Sequence, residues 1–227
     1  MAKVPVKQKD TSALNTDIVL IDIIHFSKLS SHEQVEIITF ITKSYTVMIS
    51  KMLENSEMPL QKLITGFITT GDGFYCIINP RLKGFGAILA LNFHHFSDLI
   101  AQRFSYFRGI RTAVHTGFVY RFTDILGHDN FVGSGLNDCA RYLELKDYTI
   151  STVVISLEAY EAFEKFLELY PDYHTLMLEH QFKRSQEYRF LDKHMQERRG
   201  YLIWLRKGGI INPPNINFNS LLYQKED

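Results

Sequence analysis

Two carboxylates in this 227-residue chain sit where a carboxylate is hard to explain by structure alone. Asp22 interrupts residues 17–24, DIVLIDII, a run of aliphatic side chains. A charge buried among aliphatics is costly unless it is paired or bound to a cation. Asp72 lies between Gly71 and Gly73, where a bare backbone lets a ligand approach closely. Gly-Asp-Gly is also ordinary turn chemistry, so Asp72 by itself is equally a turn residue and Asp22 an edge-strand charge. If the two converge, two carboxylates with little else suit a hard divalent cation such as Mg²⁺ or Mn²⁺. Such an ion keeps waters and takes phosphate oxygens.

The elements that would position them can be read from periodicity. Residues 17–24 are short, apolar and β-branched, as in a buried strand. Ser30 and Ser31, followed by Glu33 and Gln34, offer caps for a helix running to about Glu54. Residues 60–70 and 74–78 flank the Gly-Asp-Gly turn and predict a hairpin. A second helix is expected over 86–104, and two strands over 108–115 and 118–123 joined at Thr116-Gly117. A loop over 124–134 then leads to a third helix from Gly135 to about Leu145. Strand 152–155, a helix over 157–169 capped by Ser156, and closing strands 188–191 and 200–205 follow. This order predicts an α+β fold with a ferredoxin-like βαββαβ core and C-terminal additions. The expected organisation is a leader over 1–16, one domain over 17–207 and an irregular tail over 208–227.

Composition narrows the classes. The chain carries 25 basic and 25 acidic residues, so broad attraction to nucleic acid or to an anionic membrane is not expected. No apolar run is long enough to span a bilayer and the N-terminus has no signal-like core, so a cytoplasmic protein is expected. Cys76 and Cys139 form no CxxC pair and are expected to be buried free thiols. His94 and His95 lack a metal-ligand partner one turn on and receive no role.

Taken in order, five segments resemble the class III nucleotidyl cyclases, the family of adenylate and guanylate cyclase catalytic domains. Residues 22–27 (DIIHFS) resemble that family's D-I-x-G-F-[ST] strand, with His25 where Gly is usual. Residues 70–76 (TGDGFYC) resemble its metal-binding hairpin, and 111–117 (RTAVHTG) its R-x-G-I-H-x-G strand. Residues 133–141 (GSGLNDCAR) resemble its G-x-x-V-N-x-A-x-R helix start, and 152–160 (TVVISLEAY) the strand and helix after it. The resemblance covers about residues 17–205 and rests on the ordered set. It implies two Mn²⁺ or Mg²⁺ ions per site, held by Asp22, Asp72 and the carbonyl of Ile23, with a nucleoside triphosphate as substrate. It also implies phosphate contacts from the turn through Phe26 and Ser27, ribose positioning by Asn137 and charge stabilisation by Arg141. Asn137 as a helix cap and Arg141 as a solvated charge are the alternatives. The family's sites form across a homodimer, so a homodimer is expected. His115 matches the pattern and is expected to be structural; Lys193 and Arg198 are expected to be surface charges.

Base choice in that family rests largely on two positions, occupied here by Ile68 and Asn130. Adenylate cyclases usually have Lys at the first and guanylate cyclases Glu. Ile68 cannot hydrogen-bond any base edge, which leaves a purine edge unpaired. The resemblance is accordingly strongest to the standalone bacterial pyrimidine cyclases of Pycsar antiphage systems. It implies cUMP or cCMP as product and a separate cyclic-nucleotide effector. An adenylate cyclase with a divergent pocket and a non-catalytic nucleotide sensor are the other readings. A diguanylate-cyclase-like domain would need a GG-[DE]-[DE]-F hairpin, which residues 71–74 do not supply.

Overall fold

A computed structural model describes residues 13–53, 60–145 and 152–206. Its first half is the expected core: β1 (Ala13–Ile23), α1 (Ser31–Leu53), α2 (Leu60–Leu63), β2 (Ile64–Thr69), β3 (Gly73–Ile78), α3 (Phe85–Arg103) and β4 (Ile110–Thr123). There follow β5 (Asp129–Val132), α4 (Ser134–Tyr142), β6 (Val153–Ser156), α5 (Leu157–Leu169), α6 (Pro171–Glu179), β7 (Phe182–Arg184), β8 (Tyr188–Leu191) and β9 (Glu197–Leu205). The strands form one sheet in the order β2-β3-β1-β4-β6-β9-β7, with β5 added to β4 and β8 to β9. Its first four strands, β2-β3-β1-β4, are antiparallel neighbours with the ferredoxin-like order.

β1 is a near-continuous apolar run because both of its faces are covered. Val19, Ile21 and Ile23 enter the larger core, shared with α1, α3 and α5. Ile18 and Leu20 enter a second core, closed by Cys139 and Tyr142 of α4. Asp22 follows Ile18 and Leu20 by the strand's two-residue period, so it lies on the α4 side of the sheet. Ser30 and Glu33 start α1 as a capping box. The Ser30 amide donates to the Glu33 carboxylate at 2.7 Å and the Glu33 amide to Ser30 Oγ at 3.4 Å. Ser156 Oγ accepts from the Ala159 amide at the start of α5.

Asp17 is wholly buried and ties β1 to α3. Its carboxylate accepts from the amides of Gly84 and Gly86 at the helix N-terminus, at 2.6 and 3.0 Å, and from Thr116 Oγ1 at 2.7 Å. Burial pushes its carboxyl up, opposed by those hydrogen bonds.

Several expectations require correction. β1 begins at Ala13, inside the stretch assigned to a leader: residues 13–16 pair with Tyr120 to Gly117, and Thr16 Oγ1 donates to the Ile78 carbonyl. Residues 60–63 are a helical turn rather than strand. The two strands expected over 108–123 are one, β4. Gly117 is a packing glycine within it, because a Cβ there would meet His115 Nε2 at 2.8 Å and the Gly135 backbone at 3.0 Å. The expected loop over 124–134 contains β5, which folds back on β4. α6 and β7 carried no signal strong enough to predict. The tail over 208–227 lies outside the described residues.

Candidate active site

Asp22 is the penultimate residue of β1 and sits opposite Gly73 on one side and Arg111 on the other. Glycine is required at 73, since a Cβ there would strike the Ile21 carbonyl oxygen at 1.9 Å. That contact draws the β2–β3 turn against the end of β1, and the Ile23 amide donates to the Asp72 carbonyl at 2.8 Å. The two carboxylates are thereby brought together at the rim of a cleft of about 750 Å³. Leu20, Tyr75 and Arg111 line the same cleft, with Glu144 just past the end of α4.

The electrostatics are those of a carboxylate pair short of positive charge. Burial raises the Asp22 pKa above the usual range. Arg111 opposes the rise by hydrogen bond and charge, and Asp72 adds to it. Arg111 Nε donates to Asp22 Oδ2 at 2.8 Å, and Nη2 donates to that same oxygen. Thr70 Oγ1 donates to Asp72 Oδ1 at 3.3 Å. This donor set fits a hard divalent cation: carboxylate oxygens from two elements, beside an open cleft. Among the described residues no group of three or more His, Cys, Asp or Glu side chains is placed to hold a metal. An ion here would complete its shell with water and substrate oxygens.

The chain turns out of β1 through His25, whose φ of 59° and ψ of 25° are left-handed. That is the backbone reason why glycine suits this position, and histidine pays a steric cost there. Phe26 and Ser27 begin a 3₁₀ turn closed by the Lys28 and Leu29 amides on the His25 and Phe26 carbonyls. The first amides of such a turn lie outside its own ladder, free for an anion. The Phe26 ring packs against the larger core, while Ser27 is exposed.

The other expected site residues do not gather on this cleft within one chain. Ile68 lies opposite Tyr75 on β2 and packs on the second core, next to the cleft wall. Asn130 is on β5, where its Oδ1 accepts from the Phe131 amide at 2.8 Å. Asn137 is exposed on α4. Arg141 Nη1 donates to Glu144 Oε1 at 2.7 Å, and Glu144 in turn accepts from the Lys193 amide at 3.0 Å.

Two expectations about charged residues divide. Lys193 is exposed, at 62% of its side chain. Arg198 is not a surface charge: it is 14% exposed and bridges Asp138 on α4 to the buried Asp192, both at 2.9 Å. His115 is buried, with Nδ1 2.9 Å from Ser156 Oγ and its ring stacked on Tyr142. Burial lowers its pKa. Arg111 was missed as a site residue. Its place at the head of the R-x-G-I-H-x-G match was the signal in the sequence, and nothing there revealed its register with Asp22.

No model of a known protein family matches the chain, and no curated protein does. Solved structures do match. The catalytic core of a rhodopsin–guanylyl cyclase with converted specificity, in complex with ATPαS, is similar with a TM-score of 0.54. The two are 17% identical over 88% of this chain and 100% of that one. The guanylate cyclase domain of RhGC from Catenaria anguillulae, in complex with GTP, gives 0.53 at 17% identity over 86% and 100%. The guanylyl cyclase Cya2 gives 0.55 at 12% identity over 87% and 95%. The fold is that of a nucleotide cyclase catalytic domain. On this fold the cleft is bordered by the end of β1, the β2–β3 turn and α4, the elements carrying Asp22, Asp72, Asn137 and Arg141. Among the described residues no helix is long and apolar enough to cross a membrane.

Proposed function

We propose that this chain is a nucleotide cyclase that converts a nucleoside triphosphate to a 3′,5′-cyclic nucleotide and pyrophosphate. The observation that carries the proposal is the meeting of Asp22 and Asp72 on one cleft of a cyclase fold. The ribose 3′-hydroxyl attacks the α-phosphorus in line, its proton leaves, and the bond to the departing pyrophosphate breaks. Two Mn²⁺ or Mg²⁺ ions on Asp22, Asp72 and the Ile23 carbonyl would supply activation of the hydroxyl and neutralisation of the phosphates. Asn137 positions the ribose, and Arg141 stabilises negative charge developing at the α-phosphate. The first amides of the turn at Phe26 and Ser27 hold phosphate oxygens.

Asn137 and Arg141 act from the second protomer of a homodimer. Within one chain Asn137 is exposed and Arg141 is turned to Glu144. The hairpin of β4 and β5 supports dimer formation: Phe118, Tyr120, Phe122 and Val132 are 43–56% exposed on it, with Ile125 and Leu126 at its tip. A patch of that kind on a soluble fold favours an interface.

The substrate is a pyrimidine nucleotide, UTP or CTP. Ile68 offers no polar group to a base edge, and it packs beside Tyr75 on the cleft wall. Asn130, with Oδ1 engaged by a backbone amide, offers its NH₂ to an acceptor such as a pyrimidine carbonyl. With the resemblance to Pycsar pyrimidine cyclases, this makes the product a second messenger for a separate effector in antiphage defence. The test incubates the full chain with each of the four nucleoside triphosphates and Mn²⁺. Pyrophosphate is measured and products are identified by mass spectrometry. cUMP or cCMP as the main product is expected. Clean conversion of ATP would overturn the pyrimidine assignment, and no pyrophosphate from any of the four would leave a nucleotide sensor.

A further inference from the structure

Asp22 and Arg111 are direct cross-strand partners on β1 and β4, so the pairing is built into the register of the sheet. Both line the cleft. The two guanidinium donors converge on a single oxygen, Oδ2, rather than spreading across both carboxylate oxygens as a bidentate pair would. The Arg111 side chain is 42% exposed against 16% for Asp22, so the arginine has open cleft to swing into and the carboxylate does not. A half-exposed arginine gains little from an ion pair at a surface. Here it is drawn to Asp22, a part-buried carboxylate with a second carboxylate, Asp72, beside it.

We infer that Arg111 is a latch on Asp22: it stands in for the cation, and it must release Oδ2 before a divalent ion can take that oxygen. The inference rests on reading Asp22 and Asp72 as a cation site. A guanidinium and a divalent cation cannot share one carboxylate oxygen without like-charge repulsion, so binding one weakens the other. The latch holds the carboxylate in place without metal and raises the cation concentration at which the site fills.

The sign of one measurement separates a latch from a strut. If Arg111 only braced Asp22, its removal would weaken cation binding; as a competitor, its removal strengthens it. The full chain is titrated with Mn²⁺ alone, without nucleotide, and free Mn²⁺ is read by electron paramagnetic resonance. Arg111→Gln is expected to bind at least 5-fold tighter than wild type, with Arg111→Lys in between. If the glutamine variant fails to fold, the lysine variant decides by the same sign. In ¹⁵N-labelled wild type, the Arg111 Nε–H signal is expected to shift in step with added Mg²⁺. Wild-type binding that is unchanged or weakened in the variants overturns the latch and leaves the cation site standing. Absence of Mn²⁺ binding in wild type and variants alike overturns both.

Discussion

Asp22 and Asp72 come from different elements and converge because glycine at 73 lets the hairpin turn close on the end of β1. Replacing either with alanine is expected to lower cyclase turnover by more than about 100-fold, the scale seen when a group facing developing charge is removed. The thermal melt of Asp72→Ala should stay at or above that of wild type, because deletion relieves repulsion with Asp22. Wild-type turnover by either variant would remove the two-metal mechanism. His25 makes a complementary case. Its φ of 59° costs about 1 kcal/mol in a residue with a Cβ. His25→Gly is expected to raise stability by up to about 1 kcal/mol in urea unfolding. An unchanged or lower midpoint would mean that the histidine side chain repays its strain.

At the scale of elements, two carboxylates do structural work outside the cleft. Asp17 satisfies two amides at the start of α3 and one hydroxyl of β4. Asp17→Ala leaves three buried donors unpaired and is expected to cost about 3 kcal/mol or more, again by urea unfolding. Glu187 binds the strands of the C-terminal extension. It accepts from Arg199 Nε and Nη2 at 2.8 and 3.0 Å and from Arg189 Nε at 3.0 Å. The hydrogen bonds from Arg199 lead in pulling its pKa down from 4.5 to about 2. A depressed carboxyl contributes stability that is complete above its unfolded pKa and is lost as pH falls through the folded one. Wild type should therefore exceed Glu187→Gln in melting temperature at pH 7, and the gap should close between pH 4.5 and about 2. A gap independent of pH would assign the effect to packing.

The whole molecule is expected to work as a pair. In the proposed two-fold homodimer there would be two equivalent sites, each drawing Asp22 and Asp72 from one chain and Asn137 and Arg141 from the other. Mixing inactive Asp72→Ala with inactive Arg141→Ala and allowing exchange puts both lesions in one site and none in the other. The mixed dimer should recover up to about half the activity of wild type, which follows from symmetry. Heterodimers that form and stay dead would refute the shared site, as would turnover by a verified monomer.

Local pattern determined much of this protein before any tertiary contact was considered. The aliphatic run of β1, the Ser30–Glu33 box, the Gly-Asp-Gly turn and the Ser156 cap act over a few residues, so spacing alone marked the elements that carry Asp22 and Asp72 and the starts of α1 and α5. The misreadings have one cause. Gly117 reads as a turn, yet it is small because the Gly135 backbone of α4 presses on it from outside its strand and the His115 ring crowds it from within. Arg198 reads as a surface charge, yet Asp138 and Asp192 reach it from α4 and from the turn after β8. The Arg111–Asp22 pair spans 89 positions. Sequence spacing encodes periodicity within an element, whereas the register between β1 and β4 is set by packing the whole sheet against its helices. That register, decided only by the tertiary structure, put an arginine on the carboxylate.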